Sequence, residues 1–189
     1  RLRLPLLAAT LDHLARVGLD DFYRGDLARG MARDFEAVGS PLSLADLEAH
    51  KALTVIPLSM EVAGHRVYNL PPPTQGLASL MLLGIFDRLG VTRAEGFDFV
   101  HGLVESTKQA FRVRDAHVSD PKYMSHSAES FLVPDKLDRM AAAIDRRRAA
   151  PWPDAAAGGD TVWLAAMDGE GRSVSFIQSL YWEFGSGVV

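Results

Sequence analysis

No cysteine occurs among the 189 residues. Disulfides, thiolate catalysis and cysteine-ligated zinc or iron–sulfur sites are thereby excluded, although the absence does not identify a compartment. Positive charge is not in excess either. Twenty Lys and Arg stand against 24 Asp and Glu, a formal net charge of −4, which gives no electrostatic case for nucleic acid or an anionic membrane as partner. The longest apolar run, around Leu77–Phe86, is interrupted by Gly84 and is too short to span a bilayer. No phosphate loop, dinucleotide fingerprint or internal repeat occurs. The histidines His101, His117 and His126, with Asp115 and Asp120 nearby, match no compact metal-ligand spacing and are expected at surfaces or helix ends, so no metal and no cofactor are expected. An initiator methionine is also lacking, and the chain opens mid-pattern at Arg1-Leu2-Arg3-Leu4. A piece of a longer protein is the expectation.

What is present is an ordinary globular composition, 48% hydrophobic and 23% charged, in a length that supports one sizeable core. Leu7, Leu11 and Leu14 recur at helical spacing from Leu6 to Val17, with Gly18 as the stop. Residues 20–25 read as a short connector. A helix from Asp26 through Leu27, Met31 and Phe35 should end at Gly39-Ser40-Pro41. Ser43 followed by Asp46 is a capping-box-like start for a short helix to about Lys51.

Between Thr54 and Leu70 the pattern alternates around Ala63-Gly64-His65 and predicts a β-hairpin, with Pro57 confining the first strand to an edge or bulge. Pro71-Pro72-Pro73 suits a rigid strand-to-helix connector better than a polyproline ligand. Thr74 can cap a helix over Gly76–Leu89 with Leu80, Leu83 and Phe86 on its apolar face. A further helix is expected from about Glu95 to Asp115, then an Asp120-Pro121 loop. The last helix should run from Pro134 to about Arg148, with Leu137, Met140 and Ile144 buried. Asp135, Asp138 and Asp145 early in that pattern and Arg146–Arg148 late in it complement a helix dipole, so the basic cluster reads as a helix end.

Residues 149–160, rich in proline, alanine and glycine, form a linker to a terminal hairpin. Val162 to Met167 is continuously apolar, which predicts a strand buried on both faces. The chain turns at Asp168-Gly169-Glu170-Gly171 and returns along Arg172 to Ser179. That register sets Thr161, at the head of the outgoing strand, opposite Gln178 or Ser179. A strand-initiating threonine is ordinarily a β-former, and Gly185-Ser186-Gly187 ordinarily relieves a bend rather than forming an anion nest.

Several segments, in one consistent order along nearly the whole chain, resemble the γ-glutamyltranspeptidase family of N-terminal nucleophile hydrolases. They are Phe22-Tyr23-Arg24-Gly25 with Leu27-Ala28, Gly39 through Leu42-Ser43 with Asp46-Leu47, and Tyr68 through Gly76 with its triple proline. Asp120-Pro121, Asp160-Thr161, Asp168, Gly171, Ser175 and Phe184-Gly185-Ser186-Gly187 complete the set. The resemblance implies an α+β fold, part of an αββα sandwich, mostly helical here with a terminal β-hairpin. It implies that residues 1–160 end the large subunit and 161–189 begin the small one. Thr161 would cut the chain after Asp160 and then serve as an N-terminal nucleophile, with Ser179 as a second hydroxyl bonded to it.

Two departures bear on substrate. Tyr181 stands where transpeptidases carry a short polar or acidic side chain for the substrate's α-amino group, and Val162 replaces a usual second threonine. A phenol cannot make that ion pair. The Ile177-Gln178-Ser179 pattern resembles the hydrolytic branch of the family, which includes oxamate amidohydrolases and acylases of β-lactam side chains. The implied partners are a small-molecule amide substrate and the remainder of both subunits, with no nucleic acid and no membrane; self-association stays open. The implied oxyanion-hole glycines lie past Val189 and the carboxylate-binding arginine before Arg1, so the isolated fragment is expected to be inactive. The resemblance thus implies an autoprocessing γ-glutamyltranspeptidase-like amidohydrolase or acyltransferase, hydrolysis favoured, with an oxamate amidohydrolase or β-lactam side-chain acylase as the alternative. An inactive, purely structural family member or fragment is the alternative from another class.

Overall fold

The computed structural model describes residues 3–152 and 160–181, with residues 160–163, 180 and 181 described through their backbone. Contacts divide the chain into two units, one of residues 1–52 with 155–189 and one of residues 53–154. The architecture is α+β.

In the first unit, α1 (Pro5–Val17) starts with proline in its first turn and stops at Gly18, whose φ of +101° is open to glycine but strained for other residues. Leu14 is its buried residue, while Leu7 and Leu11 are more than half exposed. The expected connector is instead a one-turn helix, α2 (Asp21–Arg24). Its cause lies in Asp21. One carboxylate oxygen accepts from the Asp26 N–H at 3.0 Å, and the other accepts from the Leu27 N–H at 3.0 Å and lies 2.9 Å from His13 Nε2. The carboxylate thereby satisfies two amides at the start of α3 (Asp26–Ala37). The Leu27 amide, then His13, hold the Asp21 carboxyl below its ordinary range. Gly25 is required between them, since a Cβ there would fall 1.7 Å from the Asp21 Oδ1. Phe22-Tyr23-Arg24-Gly25 thus has a physical basis in how α3 is capped.

The α4 helix (Leu44–Ala49) carries the expected capping box. Asp46 N–H donates to Ser43 Oγ at 3.4 Å, and Ser43 N–H donates to Asp46 Oδ2 at 2.8 Å.

The second unit is built around α5 (Gly76–Arg88). Leu77, Ala78, Leu80, Met81 and Ile85 are all buried, so this helix is apolar around most of its circumference and lies at the centre of the core. Leu83, expected on that face, is 40% exposed. Against α5 pack the hairpin β1 (Leu58–Val62) and β2 (His65–Asn69), the long helix α6 (Phe97–His117), and α7 (Pro134–Ala142). β1 and β2 are antiparallel, from Leu58↔Asn69 to Val62↔His65. The strand begins only at Leu58, because Pro57 cannot donate to a ladder. Ala63 and Gly64 form the two-residue turn with φ of 50° and 77°, the positive values that match strand twist.

Three boundaries differ from expectation. Thr74 does not occupy the cap position of α5, which is Gln75, yet its Oγ1 accepts from the Gly76 N–H at 3.2 Å. Asp120-Pro121 is not plain loop: Asp120 Oδ1 accepts from the Lys122 N–H at 2.9 Å and caps a 3₁₀ turn over Pro121–Tyr123. The last helix ends at Ala142 rather than near Arg148. Asp145 Oδ1 accepts from the Arg147 and Arg148 amides at 2.8 and 3.2 Å, a side-chain competitor to helical bonding. Arg146–Arg148 are therefore not a helix end, and Arg146 Nη1 instead donates to the Leu89 carbonyl at 2.9 Å.

Candidate active site

The terminal hairpin consists of β3 (Asp160–Met167) and β4 (Ser173–Tyr181), paired antiparallel. Its turn is set by Asp168. The Asp168 N–H donates to the Arg172 carbonyl at 3.0 Å, and the Gly171 N–H donates to the Asp168 carbonyl at 3.1 Å. Asp168 Oδ1 accepts from the Glu170 and Arg172 amides at 2.9 and 3.0 Å, while Oδ2 accepts from Arg172 Nε at 2.7 Å. Gly171, at φ +81°, supplies the left-handed residue that the turn needs.

This local geometry fixes the register through Met167↔Ser173, Leu164↔Phe176 and Val162↔Gln178. Beyond Val162 the ladder shifts by one, so that Asp160 pairs with Tyr181. Thr161 therefore lies opposite the two residues Ser179 and Leu180, in the two-against-one count of a β-bulge. The register expected from the sequence is met at Val162 and displaced by the bulge at Thr161 itself. Asp160, Thr161, Ser179 and Tyr181 thus share one end of the hairpin, and the scissile bond implied by the family resemblance is at the head of β3.

Double-sided burial of β3 is a corrected expectation. Residues 164–179 are all exposed, with Leu164 at 50%, Phe176 at 49% and Ile177 at 67%. A strand buries both faces only when layers cover them, and β3 and β4 form a two-stranded sheet by themselves. The small-residue lead-in Gly158-Gly159 and the Phe184–Gly187 segment lie outside the described residues.

The Arg172 guanidinium, then the Arg172 backbone amide, hold the Asp168 carboxyl below its ordinary range. A carboxylate with a lowered folded pKa contributes stability above its unfolded pKa of about 3.9, lost as pH falls through the folded value. Amide protection at Glu170 and Arg172 is accordingly expected to persist down to about pH 4 and to fade below it. Hydrogen exchange across an acid titration checks this, and Asp168→Asn should flatten the profile.

Elsewhere, His101 Nε2 lies 2.7 Å from the Asp145 carbonyl oxygen, and its ring stacks on Phe97. His117 and His126 meet with ring centroids 5.7 Å apart, and both pack against Phe131. Among the described residues no three His, Asp or Glu side chains converge as a metal site would require, and no helix is long and apolar enough to cross a membrane.

Reading the sequence did not single out Glu105 and Lys108. They are a buried ion pair on α6, 2.7 Å apart, with side chains 3% and 14% exposed. The available signal was an acid and a base three apart on a helix that also carries Leu103 and Phe111.

The profile of the gamma-glutamyltranspeptidase family matches residues 1–189, and the chain belongs to that family. It is 48% identical over 189 residues to the oxamate amidohydrolase proenzyme of Klebsiella pneumoniae subsp. pneumoniae, covering 100% of this chain and 36% of that protein. A glutathione hydrolase-like proenzyme of Bacillus subtilis is 36% identical over 184 residues, covering 96% of this chain and 35% of that one. Among solved structures, a cephalosporin acylase from Bacillus halodurans superposes with a TM-score of 0.83 at 36% identity, covering 96% of this chain and 33% of that chain. The chain spans about a third of the length of the curated relatives it matches.

Proposed function

We propose that the protein carrying this chain is a self-processing amidohydrolase that works through Thr161 as an N-terminal nucleophile. The observation that carries this reading is the position of Asp160-Thr161 at the head of β3, at a bulge opposite Ser179 and Leu180, in a chain of this family. Thr161 Oγ attacks the Asp160 carbonyl carbon. A C–O bond forms, the Asp160–Thr161 C–N bond breaks, and the hydroxyl proton ends on the departing nitrogen. Water then hydrolyses the ester, leaving a carboxyl on Asp160 and returning a hydroxyl and a free α-amine to Thr161. That amine, with an ordinary pKa of about 8, acts as the base for the same hydroxyl in turnover.

Residues 1–160 then end a large subunit and 161–189 begin a small one, and the partners of this chain are the remaining parts of both. Ser179 bonds the nucleophile's oxygen. Hydrolysis is favoured over transfer to an amine. Tyr181 offers no counter-charge to a substrate ammonium, which speaks against glutathione-like substrates. The 48% identity to an oxamate amidohydrolase, against 36% to a glutathione hydrolase-like protein, supports a small amide such as oxamate.

Intact-mass measurement of the full-length protein tests the reading. Two chains are expected, dividing between Asp160 and Thr161, with masses summing to the uncut chain plus one water. Assays across oxamate, γ-glutamyl and acyl-amide substrates should then show release of the amine or ammonia. One uncut chain with no turnover would instead identify a structural, inactive member of the family.

A further inference from the structure

The last residues described before the 153–159 segment are held by side chains of α6. Glu105 Oε2 accepts from the Ala150 N–H at 3.2 Å, and Lys108 Nζ donates to the Ala150 carbonyl at 2.7 Å. The same Lys108 donates to Glu105 Oε1 at 2.7 Å, so both backbone groups of one residue are held by the two ends of one ion pair. Arg112 Nη2 donates to the Pro151 carbonyl at 3.4 Å, one turn further along α6. Trp152 lines an apolar cleft of about 280 Å³ together with Val104, Thr107, Lys108 and Phe111.

Burying this pair incurs a desolvation cost, which is offset only when the geometry is good and the remaining lone pairs and protons are used. Here each Glu105 oxygen has a donor, and Lys108 has two acceptors. Most loop anchors need less, since one exposed hydrogen bond or one apolar contact will fasten a surface segment. Three successive residues, Ala150 to Trp152, are instead fixed by charge, by hydrogen bond and by an indole. Seven residues separate Trp152 from Asp160, and within them lie Ala155, Ala156, Ala157, Gly158 and Gly159.

We infer that Glu105 and Lys108, with Arg112 and Trp152, are positioning residues for the cut at Asp160–Thr161. They fix the upstream end of the segment that must deliver the Asp160 carbonyl to the Thr161 hydroxyl. The inference rests on the self-processing reading above. Attack requires the reacting atoms at about 3–3.5 Å, and a displacement of about 1 Å can cost a hundredfold in rate. A clamp that sets the segment's origin narrows the conformations from which attack starts. It has no part in turnover once the bond is cut, because the Asp160 end is then free.

The test is the rate of splitting of the freshly synthesised full-length protein, followed on denaturing gels, together with its melting temperature and the kcat of the fully split fraction. Lys108→Met breaks the buried pair and risks misfolding, so Arg112→Ala and Trp152→Ala, at more exposed positions, accompany it. Splitting at least tenfold slower in Lys108→Met and Trp152→Ala, with smaller slowing in Arg112→Ala, is expected. Melting temperature and kcat of the split enzyme should stay near wild type in the last two variants. Lys108→Arg, which keeps a cationic donor for Ala150, should recover most of the rate. Wild-type splitting rates in well-folded Trp152→Ala and Arg112→Ala would overturn the inference while leaving the self-processing reading intact. So would losses that merely track melting temperature or kcat. A wild-type protein that never splits would overturn both.

Discussion

Thr161→Ala is expected to leave the full-length protein as one uncut chain and to remove its turnover. Both results follow from one oxygen atom. In the proposed scheme the same hydroxyl attacks first the Asp160 carbonyl and then the substrate amide, so no part of the chemistry survives its loss. Removing the nucleophile of a hydrolase costs about 10⁶ in kcat as a general magnitude, which would appear here as no splitting over any practical time. Thr161→Ser keeps the hydroxyl and should still split. The effect on folding should be small by comparison, since strand propensities span only about 1 kcal/mol and Thr161 is at a bulge near the end of the ladder. A denaturing gel, an intact mass and a melting curve on the same preparations separate the two roles. If Thr161→Ala split at the wild-type rate, the nucleophile would have to be another residue. If it merely melted at a lower temperature while still splitting, Thr161 would be a β-former and nothing more.

Where a structural device is local in sequence, it was legible. Ser43 and Asp46 are three residues apart, and their reciprocal bonds are those that spacing dictates. Gly18 and Gly39, which end α1 and α3, have the positive φ expected of helix stops. The turn at Asp168 also follows from its own residues, and the register it sets carries through to Val162. Devices that join separate elements, and local side-chain bonds that compete with a helical pattern, were not legible. Asp21 looked like part of a connector because its two amide partners belong to the next helix. Asp145 looked like an acid within a helix, whereas its carboxylate takes the amides of Arg147 and Arg148 and leaves the helix to end at Ala142. The hold of Glu105 and Lys108 on Ala150, some 40 residues away, left no mark in the local sequence. The continuous apolar run of β3 predicted cover on both faces, yet periodicity reports only what a strand can bury, not what covers it. At the candidate site, strand alternation could not foresee the extra residue at Ser179-Leu180, because a bulge is a departure from the period that the alternation assumes.

Gly76→Ala should cost about 3 kcal/mol or more in stability, at the upper end for an added methyl group in a packed site. A Cβ at Gly76 would lie 2.1 Å from the Leu70 carbonyl oxygen, 2.9 Å from the Leu70 amide nitrogen and 2.8 Å from Asn69 Oδ1. Two of these three atoms are backbone, and neither has room to yield. Leu70 directly follows Asn69, which is paired with Leu58 at the end of the β1–β2 ladder. Its carbonyl also accepts from Thr74 Oγ1 at 3.1 Å, and the same hydroxyl receives the Gly76 N–H. Relief would require the start of α5 to move away from β2, and Leu77 and Leu80, both buried in the core, would move with it. The triple proline between them leaves few soft torsions to absorb the shift. Gly84→Ala, in the same helix, is the control. A Cβ there would meet Met60 Cε at 2.4 Å, its Sδ at 3.2 Å and Leu137 Cδ1 at 3.0 Å, and the end of a methionine side chain can swing aside. Alanine also gains about 1 kcal/mol over glycine in a helix interior, so Gly84→Ala should be close to neutral. Denaturant midpoints of the two variants should therefore differ widely. Equal midpoints would mean that the approach of α5 to Leu70 is not what demands glycine at position 76.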